Sequence, residues 1–296
     1  MYAQAIFLDN VKVDFRQSAN NETNGPIQGL GNVHWINSIV QSSNSQYYEG
    51  MSNHQRVILL DMEETTDNIH SLAFSHQATK GGIHAYDFLV GWPDATADNM
   101  DFLNLAQYFI NECGDEIGPP ANMDDICEDL HSGPTGPFFF DVLIPMDNYE
   151  DSEDGMYSER IMAYETMIGG PRYMRVWANA AITTAYFCGE PEHDGDDTGD
   201  SHTNYVLVVD GGATPITQMI VEFAGHLALS GPDDIGSGIY WGADQGSSQI
   251  NGGPYHFNLN GLGGPVDDEC NLTEFVSLGS QDNQIKGADI EIIECP

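Results

Sequence analysis

Between two strand-like runs, the stretch His193-Asp194-Gly195-Asp196-Asp197-Thr198-Gly199-Asp200 holds four carboxylates spaced by glycines. A turn of this kind can converge Asp194, Asp196, Asp197 and Asp200 on a hard cation, and calcium is bound by several oxygens at once. The EF-hand pattern is not matched, since no glutamate stands at its twelfth position and no flanking helices are expected. A second turn-like stretch, residues 147–155, offers Asp147, Asp151 and Asp154 as another candidate calcium loop. A plainer reading stands beside both. With 46 acidic residues among 296, acidic clusters arise from composition and are simply solvated.

Four histidines, His34, His84, His226 and His256, sit in aromatic contexts. His84 and Asp87 are three apart in one strand-like run, so they are expected on opposite faces and not as ligands of one metal. A composite site of His84, His226 and His256 is open geometrically, yet no local spacing indicates it. Histidines hydrogen-bonded inside a β core are commoner. Trp35, Tyr47, Tyr48, Trp92 and Trp241 lie near Gly/Asn/Ser-rich turns, where exposed rings would stack on sugars or on a partner. Core packing explains the same rings.

Catalytic motifs are missing. The sequence has no Gly-x-Ser-x-Gly elbow and no His-Glu-x-x-His helix. Gly29-Leu30-Gly31 is followed by Asn-Val-His, which does not complete a dinucleotide fingerprint. Glycoside hydrolysis asks only for two well-placed carboxylates, and so many acids neither exclude nor nominate a pair. The chain is not read as an enzyme, and no organic cofactor is expected.

Eight basic against 46 acidic side chains give a net charge of −38. Phosphate backbones and anionic lipids repel such a chain, which sets nucleic-acid and membrane-surface binding aside. No run of about eighteen apolar residues is present for membrane insertion. Self-repulsion needs screening by salt or bound cations, so an extracellular, cation-rich setting is expected. The first residues lack the basic and apolar regions of a signal peptide, so the chain is read as mature or never exported. Five cysteines without Cys-x-x-Cys spacing fit disulfides of an oxidising compartment better than a zinc motif. Cys113 with Cys127 and Cys270 with Cys295 are the expected pairs, leaving Cys188 over or free to join a second subunit. Five buried thiols are the alternative.

A β framework must position these residues. Short runs rich in β-branched and aromatic residues, bounded by Gly, Pro, Asn and Asp, cover 4–15, 68–74, 83–90, 138–144, 172–187, 204–209, 216–229, 255–259 and 288–293. One segment, 99–113, has the spacing of a short helix or an irregular excursion. It lies in an acidic, irregular insertion at about 92–137. The fold expected is all-β, an antiparallel, jelly-roll-like β-sandwich with long loop insertions, forming a single domain over 1–296. Two β domains dividing near 145–170 are the alternative.

Several segments in combination carry a resemblance. They are Gly31-Asn32-Val33-His34-Trp35-Ile36-Asn37, the run 44–50 with Arg56, Gly81-Gly82-Ile83-His84-Ala85-Tyr86-Asp87-Phe88-Leu89, Ala224-Gly225-His226-Leu227-Ala228, Tyr240-Trp241-Gly242 and Gly253-Pro254-Tyr255-His256-Phe257. Their order resembles an uncharacterised β-rich module of secreted and cell-surface, adhesin-like bacterial proteins, over segments 31–89 and 224–257. The resemblance implies a secreted surface role, brings no catalytic residues, and makes the histidines parts of a framework.

Strand-like runs close to both termini suggest polymerisation by strand addition to a neighbour's sheet. The function expected is an extracellular structural subunit that assembles with itself into a filament, sheath or layer, stabilised by calcium or other cations. A carbohydrate-binding or adhesion module that takes cell-surface glycans is the first alternative. A secreted polysaccharide hydrolase is the second.

Overall fold

Residues 11–25, 27–114, 116–117, 124–132, 137–151, 155–231 and 238–292 are described by the computed structural model. In chain order the elements begin with β1 (Lys12–Ala19), β2 (Asn32–Ile36), β3 (Ser52–Leu60), β4 (Ile69–Lys80), β5 (Ile83–His84), β6 (Tyr86–Val90), α1 (Trp92–Phe102), β7 (Phe109–Ile110), β8 (Glu116–Ile117) and α2 (Asp124–Ser132). They continue with β9 (Phe138–Leu143), β10 (Glu150–Asp151), β11 (Gly155–Met156), α3 (Tyr157–Ile168), β12 (Tyr173–Ala178), β13 (Thr184–Phe187) and β14 (Glu192–Gly195). The last are β15 (Ser201–Asp210), β16 (Met219–Leu227), β17 (Tyr255–Gly263) and β18 (Gln281–Ile285).

The first sheet runs β7-β2-β1-β3-β16-β12-β9, and the second runs β13-β15-β4-β17-β18. Ladders between the long strands are antiparallel, whereas the two-residue β7 and β8 lie parallel to β2. This is an all-β sandwich. Phe15, Val57, Leu72, Phe74, Val176, Leu207, Val221 and Phe257 meet between the sheets, in one core cluster that reaches from Phe15 to Ile290.

Helices cover the outer face of the first sheet. Cys127 and Leu130 of α2 pack with Ile58, Leu60, Trp177 and Ile220. Ala95 of α1 and Ile161 and Tyr164 of α3 pack with Phe88, Val90 and Ala224. All nine residues of β3 and of β16 are therefore buried, and neither strand alternates. Where the spacing at 99–113 fits a short helix or an irregular excursion, α1 begins at Trp92, with Pro93 and Asp94 in its first turn, and ends at Phe102. A Cβ on Gly91 would lie 2.1 Å from the Tyr173 carbonyl oxygen, so glycine is what lets α1 start against β12. The pattern gave no sign of α3. It ends on left-handed Gly169, followed by Gly170 and Pro171.

Two expectations are corrected. Cys113 bonds Cys127, but Cys270 bonds Cys188 and not Cys295, which lies outside the described residues. The Cys188 and Cys270 Cα atoms are 5.7 Å apart because the turn holding Cys270 packs over the end of β13. Disulfides form and persist in oxidising compartments. The last run is not a strand: Gly287–Asp289 is a 3-10 turn, and Glu291 bridges Tyr48. β1 lies between β2 and β3, so neither described terminal run is a spare edge strand. Residues 4–10 and 293 lie outside the described residues. Among the described residues no helix is long and apolar enough to cross a membrane.

Candidate functional site

On the outer face of the first sheet the registers align Asp141, Arg175, Glu222, Arg56 and Arg16 across β9, β12, β16, β3 and β1. Three of the chain's five arginines stand in this single row. Opposite charges facing one another across strands stabilise a sheet, and like charges oppose it. The Arg16–Arg56 pair is bridged by Asp14, whose carboxylate accepts from Arg16 Nε at 2.9 Å and from Arg56 Nη2 at 3.4 Å. Arg56 also donates to the Glu112 carbonyl at 2.7 Å and lies over the Trp35 ring. Trp92 stacks on Trp35 and closes this end of the row.

The other end opens to solvent. Arg175 grips Asp141 with two hydrogen bonds of 2.6 and 3.0 Å, which pushes the guanidinium pKa up. A cavity of about 320 Å³ lies here, lined by Trp92, Asp94, Glu112, Asp141, Tyr173, Arg175, Trp177 and Glu222 among others. His131 stands beside it. On α2, Cys127 and His131 are one turn apart on one face, and the Cys113–Cys127 disulfide ties that face to the residue after Glu112.

His131 Nδ1 lies 2.8 Å from the Cys127 carbonyl oxygen, which only accepts, so this nitrogen carries a proton. Nε2 lies 2.8 Å from Glu222 Oε1 and 3.6 Å from Glu112 Oε2. Glu222 Oε2 accepts from Trp177 Nε1 at 2.8 Å. Burial alone would lower the His131 pKa, but the hydrogen bond and charge of Glu222 outweigh it and the net shift is upward. Burial, and then the Glu222 charge, push Glu112 up. Burial does the same for Asp94. One ring and two carboxylates thus meet at one point of the row, an arrangement that can hold a proton or a cation.

Among the described residues, trios of metal-ligand atoms within 4.8 Å of one another occur at Glu112, His131 and Glu222, and at Cys113, Cys127 and His131. The expected loop at 194–200 does not gather its acids. Asp196 accepts from the Thr198 backbone and hydroxyl, Asp197 from the Tyr149 hydroxyl, and Asp200 from the Gly81 N–H, while Asp194 lies 3.6 Å from His202. In the second stretch, Asp147 accepts from His193 at 2.7 Å and Asp151 lies 3.9 Å from His84. Asp154 lies outside the described residues. The two stretches meet through side chains, with Tyr149 stacked on His193.

His84 and Asp87 fall in separate strands, β5 and β6, and converge on Trp241, contrary to the single-strand expectation. The His84 ring stacks on Trp241, whose Nε1 donates to Asp87, and Asp87 also holds His226 Nδ1 at 2.8 Å. His256 instead faces Asp282, and His34 lies buried 3.7 Å from Glu22. Trp35, Tyr47, Trp92 and Trp241 are buried and Tyr48 is half-buried, so these rings form no exposed sugar platform.

The sequence reading missed Glu112, His131, Asp141, Arg175 and Glu222. Two signals were there: Cys127 and His131 at helical spacing, and Glu222 as a lone carboxylate in an apolar run. Comparison with models of known families, with curated proteins and with solved structures finds no match.

Proposed function

We propose that the protein is an extracellular structural subunit that associates with itself at the open edge of its first sheet, with cations offsetting its charge. One observation supports this reading above the others. β9 ends the sheet at mid-chain and pairs only with β12 among the described residues. It carries no lysine or proline, the usual guards of a free edge. Its outward Phe139 and Leu143 are 45% and 54% exposed, beside Tyr173 of β12. The single acid facing outward between them, Asp141, is neutralised by Arg175.

Two β9 strands pairing about a two-fold axis give a closed dimer, and growth into a filament or layer uses a second surface. The charge of −38 opposes such contacts until calcium or salt screens it. Two disulfides suit the oxidising, extracellular compartment of this reading. Sedimentation and negative-stain microscopy in calcium, and then in chelator, test it. Association is expected to grow with protein concentration and with calcium, and to be abolished by Phe139→Lys with Leu143→Lys. A chain that stays monomeric at high concentration under both conditions overturns the reading. Retention of that monomer on glycans would favour the adhesion alternative.

A further inference from the structure

We propose that Glu112, His131 and Glu222 form a site for one divalent transition-metal ion of the zinc class. The inference does not depend on self-association. One imidazole and two carboxylates suit zinc and its first-row neighbours. Calcium takes six to eight oxygens and gains nothing from a ring nitrogen. The three donors come from the turn after β7, from α2 and from β16, and the fold brings them within 4.8 Å of one another.

The surroundings separate this trio from a chance gathering of acids. The Cys127 carbonyl holds His131 Nδ1–H, which leaves Nε2 facing the two glutamates. A backbone carbonyl on the far nitrogen is how ligating histidines are oriented. Trp177 does the same for Glu222, occupying Oε2 and leaving Oε1 on the side of His131. The Cys113–Cys127 disulfide sits next to Glu112 and one helical turn before His131, so a single crosslink sets both donors. Arg175 and Arg56, which flank Glu222 in the row, are engaged by Asp141 and by Asp14 and the Glu112 carbonyl. Glu112 and Glu222 also line the cavity, so positions left open by three protein ligands face a space large enough for water or an anionic ligand group.

The test uses the full chain, stripped with chelator and titrated with zinc against a chromophoric chelator. Cobalt(II) serves as a spectroscopic probe of nitrogen and oxygen ligation. One equivalent is expected to bind, with a visible cobalt band. Affinity should fall at least tenfold in Glu112→Gln and further in His131→Gln, and by about ten- to a hundredfold in Trp177→Phe, which removes the hydrogen bond to Glu222 and keeps an aromatic ring against His131. Asp194→Asn should change nothing. Because Glu112 is half-exposed, its variant should fold even if changes at buried Glu222 do not. Absence of a stoichiometric equivalent overturns the proposal. So does an equivalent whose affinity is the same in Glu112→Gln and His131→Gln, which would be adventitious binding by other histidines.

Discussion

Two polar regions of this molecule solve the same problem in opposite ways. In the seam between the 147–155 and 194–200 stretches, Asp147 accepts from His193, Asp197 from Tyr149 and Asp196 from Thr198. These three acids each have a protein donor. Under the helical cover, Glu112 and Glu222 share a single imidazole. The seam pairs these acids one by one with donors, whereas the covered row brings two acids to one ring. The difference teaches that acids adjacent in sequence diverge around a turn and find separate partners. Acids remote in sequence can be forced together by a sheet register and a disulfide.

One disulfide holds the covered row and the other lies away from it, which gives the largest test. Chain entropy assigns about 4.5 kcal/mol to a crosslink spanning 82 residues, such as Cys188–Cys270, and about 3 kcal/mol to one spanning 14, such as Cys113–Cys127. Paired Cys→Ser changes should lower stability in that order in guanidinium unfolding. Zinc affinity should fall only with the shorter crosslink, because only that one positions Glu112 and His131. Loss of zinc binding in the Cys188/Cys270 variant would erase the distinction between the regions.

Removing one member of a buried pair comes next. Asp147 and the His193 side chain are each 2% exposed, so Asp147→Ala should cost about 3 kcal/mol by stranding the ring. A loss under about 1 kcal/mol in chemical denaturation would mean that solvent replaces the partner, as it does for surface pairs.

How much of this was legible can be argued from single elements. β16 announced itself, because helices on one face and a sheet on the other demand a mostly apolar run, here interrupted at Glu222 and His226. β3 did not, since its first half, Ser-Asn-His-Gln-Arg, is polar yet wholly buried. Several of its polar side chains find partners in the insertion and in the opposing sheet, as His54 meets Thr96 and Asn283 donates to Gln55. Tertiary partners of that kind leave no local pattern. The acidic stretches were visible, but their destiny was not. Whether four carboxylates face inward or out depends on donors such as Tyr149 and Gly81, which come from other segments. Cys188 and Cys270 were miscounted for the same reason: loop packing chose the pair, not sequence distance.

Acid should separate the regions through their histidines. Burial lowers the pKa of His76, in the core close to the seam, to about 3, and does the same to His54, beneath α1. A histidine held neutral in the fold contributes stability above its unfolded value of about 6.5. That contribution is lost as pH falls, at about 1.4 kcal/mol per pH unit for each ring, until the folded value is reached. His76→Gln should therefore unfold less steeply between neutral pH and pH 4 than the wild type, whatever its stability at pH 7. An unchanged slope would mean that the ring reaches solvent in the folded chain.

The smallest effect carries the most information. Glu112 is disfavoured as an anion by burial and by Glu222, so Glu112→Gln should stabilise the metal-free chain. Its side chain is 54% exposed, so solvent screening reduces the gain to a few tenths of a kcal/mol (~0.3). Zinc should reverse the sign. A ligand present at a hundred times its dissociation constant adds about 2.7 kcal/mol to the fold that binds it. The wild type then gains the full term and the variant only a fraction, so their order of melting temperatures should invert when zinc is added. No such inversion is expected for Asp147→Ala, because Asp147 is paired with His193 and is no part of the trio. If the order at Glu112 stays the same with and without zinc, the trio does not hold the ion, and the contrast between the two regions is one of packing alone.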